Sequence, residues 1–416
     1  MVTGDGPATV TFADVEAAME RLDDPTVVKQ TPVERSTSLE AMTGAESVHL
    51  KLEHLQWTGS FKTRGAYNKI RTCLEAGDVS QVVAASAGNH AQGVALAASR
   101  LGVEATIVMP TVAPQTKIDA TRGYGATVEL VGDDFRQATQ YAMEAAEGTD
   151  AEFVHAFDDP AIVAGQGTLG VEMARDQPGV DTVIVPIGGG GLISGIATAL
   201  EELSPSTRVV GVQATGAATV ADSLAKGSPQ TLESVDTIAD GIATGGVSEL
   251  TLSIIEERVD ELVTVTNGQI ASAILLLMER AKQLVEGAGA ASVAAMLGDD
   301  LDVEGESVMP LLCGGNVDMT MLRAVLIHAL TQRDQLLQLR VHIDDRPGKM
   351  AEISGVIADH GANIQNVRHE RALDDLDVGE AHLIFQVETS GAEHAANIID
   401  SIADHGYPVD VVNRLT

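Results

Sequence analysis

The feature that most constrains this chain is an apolar run at 182–187 that ends in four consecutive glycines, Gly188, Gly189, Gly190 and Gly191, and then passes into a helical pattern from Leu192 to Leu203. Four residues without Cβ between a buried strand and a helix make a turn whose backbone N–H groups stand open at the positive end of the helix. The same grammar repeats along most of the sequence. Strand-like runs lie at 48–52, 82–85, 105–109, 127–131, 153–156, 182–187, 209–213, 262–265 and 309–313, with helical segments between them at 89–100, 135–147, 192–203 and 268–285. Apolar strands alternating with helices predict a parallel α/β sheet covered on both faces.

After about Gln335 the pattern changes. Strands at 336–343, 364–370, 381–387 and 408–412 and helices at 349–360 and 393–405 spell βαββαβ, a ferredoxin-like unit large enough to fold alone. The expected organisation is a body over residues 1–326, a connector at 327–335 whose apolar content suggests a helix, and a tail domain over 336–416.

Bulk properties exclude several functions. The formal charge is −34, from 26 basic and 60 acidic residues, so nucleic acid is not an expected partner. The acids are spread along the chain, and only 8 of the basic residues are lysine, which suggests a surface adapted to high salt. No apolar run is long enough to span a membrane, and residues 1–14 lack a basic segment followed by an apolar one. Two cysteines, Cys73 and Cys313, make no disulfide framework and fit a reducing cytoplasm. No Cys/His spacing matches a zinc site, no G-x-S-x-G elbow occurs, and His54, His155 and His342 stand isolated, so structural roles are expected for them and no metal is expected.

Four local features carry chemistry. In Gly59-Ser60-Phe61-Lys62-Thr63-Arg64-Gly65 a lysine opens a helix between Trp57 and Phe61, two rings able to shield it and favour the neutral amine that condenses with an aldehyde. A lone lysine there is otherwise an ordinary surface residue. Ser86, Ala87, Gly88, Asn89 and His90 follow a buried strand and form an anion cradle for a carboxylate, or simply an N-cap. The four glycines suit a phosphate. They do not satisfy G-x-G-x-x-G, and the next strand ends in the neutral Gln213 where a ribose-binding acid would stand. Cys313-Gly314-Gly315-Asn316 closes a buried strand with a thiol that can face a ring nitrogen, or merely fill space. In one α/β pattern these four describe a site for pyridoxal 5′-phosphate.

Those residues resemble the fold-type II, or tryptophan synthase β-like, pyridoxal-phosphate enzymes, and within them the threonine ammonia-lyases (threonine dehydratases), over about residues 10–326. The tail, with Asp344-Asp345-Arg346-Pro347-Gly348-Lys349-Met350 and His360-Gly361-Ala362-Asn363-Ile364, resembles an ACT regulatory domain. The resemblance implies that Lys62 is the Schiff-base lysine and removes the α-proton, and that Phe61 packs on the cofactor. It implies that Asn89 contacts the 3′-oxygen, Gly188 to Leu192 hold the phosphate, Cys313 faces the ring nitrogen and residues 86–90 hold the substrate carboxylate. It further implies conversion of L-threonine, with serine secondary, to 2-oxobutanoate and ammonia, a homo-oligomer, and control by an amino acid, with isoleucine as the end product of the pathway. Asp345, Pro347, Gly348 and Asn363 are the candidate effector residues.

Three departures stand out. Racemases similar to this group carry a serine where Ala87 stands. Gln213 replaces the glutamate that would bind a divalent metal in some relatives. Thr244-Gly245-Gly246, after Ala239-Asp240-Gly241-Ile242-Ala243, is unusual. The alternatives are a serine dehydratase or racemase-like enzyme, β-replacement as in cysteine synthase, and a catalytically silent amino-acid sensor.

Overall fold

The computed structural model describes residues 9–77, 79–371 and 376–412, so residues 1–8 of the N-terminal stretch lie outside it. The chain divides into two compact units, with the boundary between Asp318 and Met319.

The first unit contains, among the described residues, the strands β1 (Val33–Arg35), β2 (Ser47–Lys51), β3 (Gln81–Ala85), β4 (Glu104–Met109), β5 (Thr127–Leu130), β6 (Ala151–Phe153), β7 (Thr182–Pro186), β8 (Arg208–Ala214), β9 (Glu261–Val265) and β10 (Ser307–Pro310). They form two sheets. The smaller runs β5-β4-β3-β6 and is parallel throughout. The larger runs β1-β2-β10-β7-β8-β9, parallel except where β1 pairs antiparallel with β2.

The central strands are apolar runs with both faces covered. All five residues of β7 are buried, as are the last four of β3. Helix starts are written locally: Asp159 accepts from the N–H groups of Ala161 and Ile162 ahead of Pro160–Asp176, and Thr266 caps Asn267–Leu276. The helices Pro160–Asp176 and Gly191–Leu203 approach so closely that a Cβ on Gly195 would lie 2.3 Å from the Val163 carbonyl oxygen. That contact makes the crossing possible only for glycine.

The predicted alternation is present, with four corrections. Strand β1 was not anticipated, because a three-residue edge strand with one part-buried and two exposed residues carries no apolar run. The strand expected at 153–156 is β6, ending at Phe153, and that expected at 309–313 is β10, ending at Pro310. In both, the last residues leave the sheet for other partners: the Ala156 carbonyl accepts from Lys62, and the Cys313 carbonyl from the Phe61 N–H. The helix expected over 268–285 stops being regular at Leu276. It widens into a π turn at Leu277–Ala281 and ends at Lys282, whose φ is +58°. The chain after it continues without regular structure to Glu286, the cap of the helix Gly287–Met296; π turns of this kind are frequent at functional sites.

The second unit opens with the helix Met319–Gln332 and continues with β11 (Leu336–Asp344), β12 (Asn363–Glu370), β13 (Glu380–Glu388) and β14 (Val409–Val411), in the antiparallel order β12-β13-β11-β14. Helices Lys349–Asp359 and Ala392–Asp404 complete the expected βαββαβ. Every second residue of β11 (Leu337, Leu339, Val341, Ile343) meets Ile353, Ile357, Ile398 and Ile402 in one apolar core. Among the described residues no helix is long and apolar enough to cross a membrane.

Candidate active site

Lys62 is the first residue of the helix Lys62–Ala76, reached through a turn in which Gly59 takes φ +72°. Its Nζ donates to the Ala156 carbonyl oxygen at 2.9 Å and lies 5.0 Å from the centroid of the Phe61 ring. Desolvation pulls its pKa from 10.5 down to about 8, against the opposing pull of Cys313 and Glu286. Trp57 does not contribute to that shielding. The residue is 41 % exposed, its Nε1 donates to the Pro25 carbonyl, and the Lys29 ammonium sits 4.0 Å from its ring centroid. The turn at Gly59 separates it from Phe61, and only Phe61 reaches the cavity.

Lys62 opens into a cavity of about 800 Å³. Phe61, all of Ser86, Ala87, Gly88, Asn89 and His90, the four glycines with Leu192, and Cys313 line it. The loop 86–90 joins the end of β3 to the helix Asn89–Leu101, and Ser86 Oγ accepts from the Gly88 N–H at 3.1 Å. The His90 ring is engaged elsewhere: Nε2 donates to the Val154 carbonyl at 2.8 Å, and burial, then Lys62, lower its pKa to about 3. An uncharged, occupied ring leaves that residue only its backbone for an anion.

The glycine turn is open for lack of space as much as for lack of strain. A Cβ on Gly189 would lie 2.2 Å from the Phe157 ring, and Gly190 sits at φ +89° as the cap of Gly191–Leu203. Thr251 Oγ1 anchors it by donating to the Gly189 carbonyl at 2.8 Å. Bare N–H groups at the start of a long buried helix fit a phosphate. Cys313 is a free, buried thiol, held well above the ordinary cysteine range by desolvation and then by Glu286. The cavity therefore offers an amine, an anion turn and a protonated thiol, which fits the cofactor expected from the sequence.

A wall residue with a titratable group, Glu286, escaped the sequence reading. Glu286 is enclosed in the cavity, its Oε1 accepting from Asn89 Nδ2 at 2.6 Å, and desolvation pushes its pKa up to about 7. Asn316 Nδ2 donates to Asn89 Oδ1 at 2.7 Å. A lone acid just ahead of Gly287-Ala288-Gly289, in an otherwise small-residue helix, was the available signal. The segment 240–248 forms one wall, where Thr244 lies 3.4 Å from the place a Cβ on Gly188 would take. Lys117 reaches Asp240 across 3.4 Å. Gln213 is buried and accepts from the Thr219 and Val220 N–H groups, a local cap. His155 lines the cavity, with Nδ1 accepting from the Asp158 N–H at 2.7 Å. Among the described residues no group of three or more His, Cys, Asp or Glu is arranged to hold a metal.

The four effector candidates lie in the second unit and do not converge within one chain. Asp345 follows β11 and pairs with Arg371 and His369, while Gly348 caps Lys349–Asp359 at φ +99°, next to Pro347. Asn363 opens β12 and donates to Glu388, which pairs with the start of β11, at the opposite end of the sheet.

Residues 25–314 match the family described as pyridoxal-phosphate dependent enzyme, and residues 337–405 match the ACT domain. An L-threonine ammonia-lyase of Thermotoga maritima is 43% identical over 403 residues, covering 97% of this chain and all of the relative. The processed threonine deaminase isoform 2 of Solanum lycopersicum superposes with a TM-score of 0.72 at 36% identity, covering 79% of this chain and 97% of that one. Maize serine racemase gives a TM-score of 0.72 at 34% identity, covering 79% of this chain and all of that one.

Proposed function

The chain belongs to the pyridoxal-phosphate-dependent enzyme family, and from that premise we propose that it converts L-threonine to 2-oxobutanoate and ammonia, with L-serine as a secondary substrate. The observation that carries this reading is the convergence of Lys62, Asn89, the glycine turn and Cys313 on one cavity. Pyridoxal phosphate supplies an aldehyde that takes up the amino group and a ring that draws electrons from the Cα–H bond.

The chain's own residues do the rest. Backbone N–H groups of Gly188 to Leu192 would hold the phosphate, Phe61 would pack on the ring, and Asn89 would meet the phenolic oxygen. Cys313, kept protonated by its buried setting, would face the ring nitrogen without fixing a proton on it. The loop 86–90 takes the substrate carboxylate on its N–H groups. Lys62, with a pKa of about 8, is neutral in a useful fraction at working pH and takes the α-proton. The β-hydroxyl leaves as water, and one water is taken up as the nitrogen departs and supplies the keto oxygen, so threonine balances against 2-oxobutanoate plus ammonia.

The likeness to a serine racemase favours a second reading, but Ala87 offers no hydroxyl as an acid on the opposite face. β-Replacement enzymes similar to this fold carry a Thr-Ser-Gly-Asn-Thr type loop where this chain has Ser86 to His90, and a silent sensor would need no intact lysine, Asn89 and anion turn. The body is proposed to end near residue 326, with 327–335 connecting it to a regulatory domain over 336–416.

Because Asp345 and Asn363 occupy opposite ends of one sheet, an effector site using both draws them from two copies, in keeping with a homo-oligomer. Isoleucine is the proposed effector, in a biosynthetic role. It must bind better to the state that takes threonine poorly. Two unpaired cysteines agree with a cytoplasmic setting. The test is release of 2-oxobutanoate from L-threonine, in concentrated KCl, with and without isoleucine. Release that isoleucine suppresses is expected. No release from protein carrying the cofactor would overturn the assignment, and persistent inhibition after removal of residues from 335 onward would overturn the effector site.

A further inference from the structure

Glu286 has no part in the mechanism above, yet the cavity is built around it. Its Oε1 accepts from Asn89 Nδ2 at 2.6 Å. A Cβ on Gly314 would lie 2.0 Å from that same oxygen and one on Gly241 3.2 Å, so the carboxylate occupies room that two glycines leave open. At the other end of the amide, Asn89 Oδ1 accepts from Asn316 Nδ2 at 2.7 Å, and Asn316 Nδ2 is itself fixed by the Thr58 carbonyl at 2.6 Å.

A carboxamide can be turned by 180° with little change of shape, presenting either its donor or its acceptor to a ligand. Here the two ends are clamped by partners of opposite polarity. An ionised carboxylate only accepts, and the Asn316 amino group only donates, so one orientation satisfies both. One N–H of Asn89 Nδ2 then remains for the cavity.

We propose that Glu286 is a positioning residue: together with Asn316 it locks the Asn89 amide so that a donor faces the phenolic oxygen of pyridoxal phosphate. The proposal rests on the cofactor site assigned above. The groups facing Glu286 are Lys62, Asp240 on the turn Asp240–Ile242, Lys117 on the helix Gln115–Gly123, and Cys313 after β10. Lys62 and Lys117 favour its charge and Asp240 opposes it, while desolvation opposes it most.

The arrangement has opposite consequences for folding and for binding. Burial raises the acid's pKa from 4.5 to about 7, so its contribution to stability is present below pH 4.5 and is lost as pH rises through 7. The empty protein is thus strained by a charge that the ligand site uses.

The experiment compares wild type with Glu286→Gln, both stripped of cofactor and titrated with pyridoxal phosphate at pH 8. The wild type binds, and the variant, which keeps the shape but loses the charge-assisted bond, shows a Kd raised roughly five- to twentyfold. The cofactor-free variant also unfolds at a higher temperature than cofactor-free wild type at pH 8, by a margin that shrinks as pH is lowered to 5. Glu286→Ala, with neither charge nor acceptor, binds more weakly still. An unchanged Kd in both variants, or a lower unfolding temperature for Glu286→Gln at pH 8, means a packing role and overturns the proposal. A wild type that takes up no cofactor overturns the functional reading, and this one with it.

Discussion

Lys62 and Arg64 stand two residues apart in the first turn of one helix and face different surroundings. Arg64 is buried with two carboxylates: Nε and Nη2 grip both oxygens of Glu53 at 2.7 and 3.1 Å, and Nη1 reaches Glu172 at 2.7 Å. Lys51, fully buried beside them, donates to Glu172, Asp176 and the Thr31 carbonyl. Burial alone would lower the Arg64 pKa, but Glu53 and Glu172 outweigh it and hold the guanidinium charged. Lys62 Nζ bonds a carbonyl oxygen beside the Phe61 ring, and burial prevails over the weaker pull of Cys313 and Glu286. A buried cation with matched anions is fixed in its charge state, whereas one without them can change it. The first arrangement builds the wall; the second leaves a reactive group.

Each half of that contrast can be broken separately. Lys62→Ala removes the convertible amine, and turnover of threonine falls by roughly 10³-fold or more while thermal unfolding stays close to wild type. Near-normal turnover would refute the role given to Lys62. Arg64→Met leaves the buried Glu53 without its cation, while Glu172 keeps Lys51, and costs about 3–5 kcal/mol of stability, read as an earlier denaturation midpoint. A midpoint unchanged by that substitution would mean that the network holds nothing together.

Smaller effects sharpen the comparison. Since Lys62 loses its proton near pH 8, uptake of pyridoxal phosphate by the cofactor-free protein should slow about tenfold per pH unit below 7 and level off above 8. A rate independent of pH between 6 and 9 contradicts a depressed lysine. Salt separates the buried charges from the surface ones. With a net charge of −34 the exterior repels itself, so molar KCl should raise the unfolding temperature by several degrees while the enclosed Arg64–Glu53 pair is little screened. Unfolding no later in KCl than in dilute buffer removes the salt-adaptation reading.

Much of this was legible in the residues, because strand runs such as 182–187 and the glycines after them encode both the fold and an anion turn in consecutive positions. The tail was equally plain, since each strand and helix of βαββαβ is marked by its own periodicity. What stayed hidden depends on contacts distant in the chain. Glu286 meets Asn89 across 197 positions, and nothing beside Glu286 announces a partner. Trp57 is near Lys62 in sequence but not in the cavity, because Gly59 turns the chain between them. The strand ends at Phe153 and Pro310 were overrun because apolar residues continue past the point where the backbone leaves the sheet for the site.

The 2.0 Å between Glu286 Oε1 and the position of a Cβ on Gly314 also bears on how such a chain can change over generations. A side chain at Gly314 would push the carboxylate away and break its bond to Asn89. A replacement of Glu286 by something smaller relaxes that constraint and leaves Asn89 Nδ2, at 3.2 Å, as the next atom a Cβ there would meet. The acid guards its own niche, and once it is lost the way back closes as soon as the neighbouring glycine is replaced.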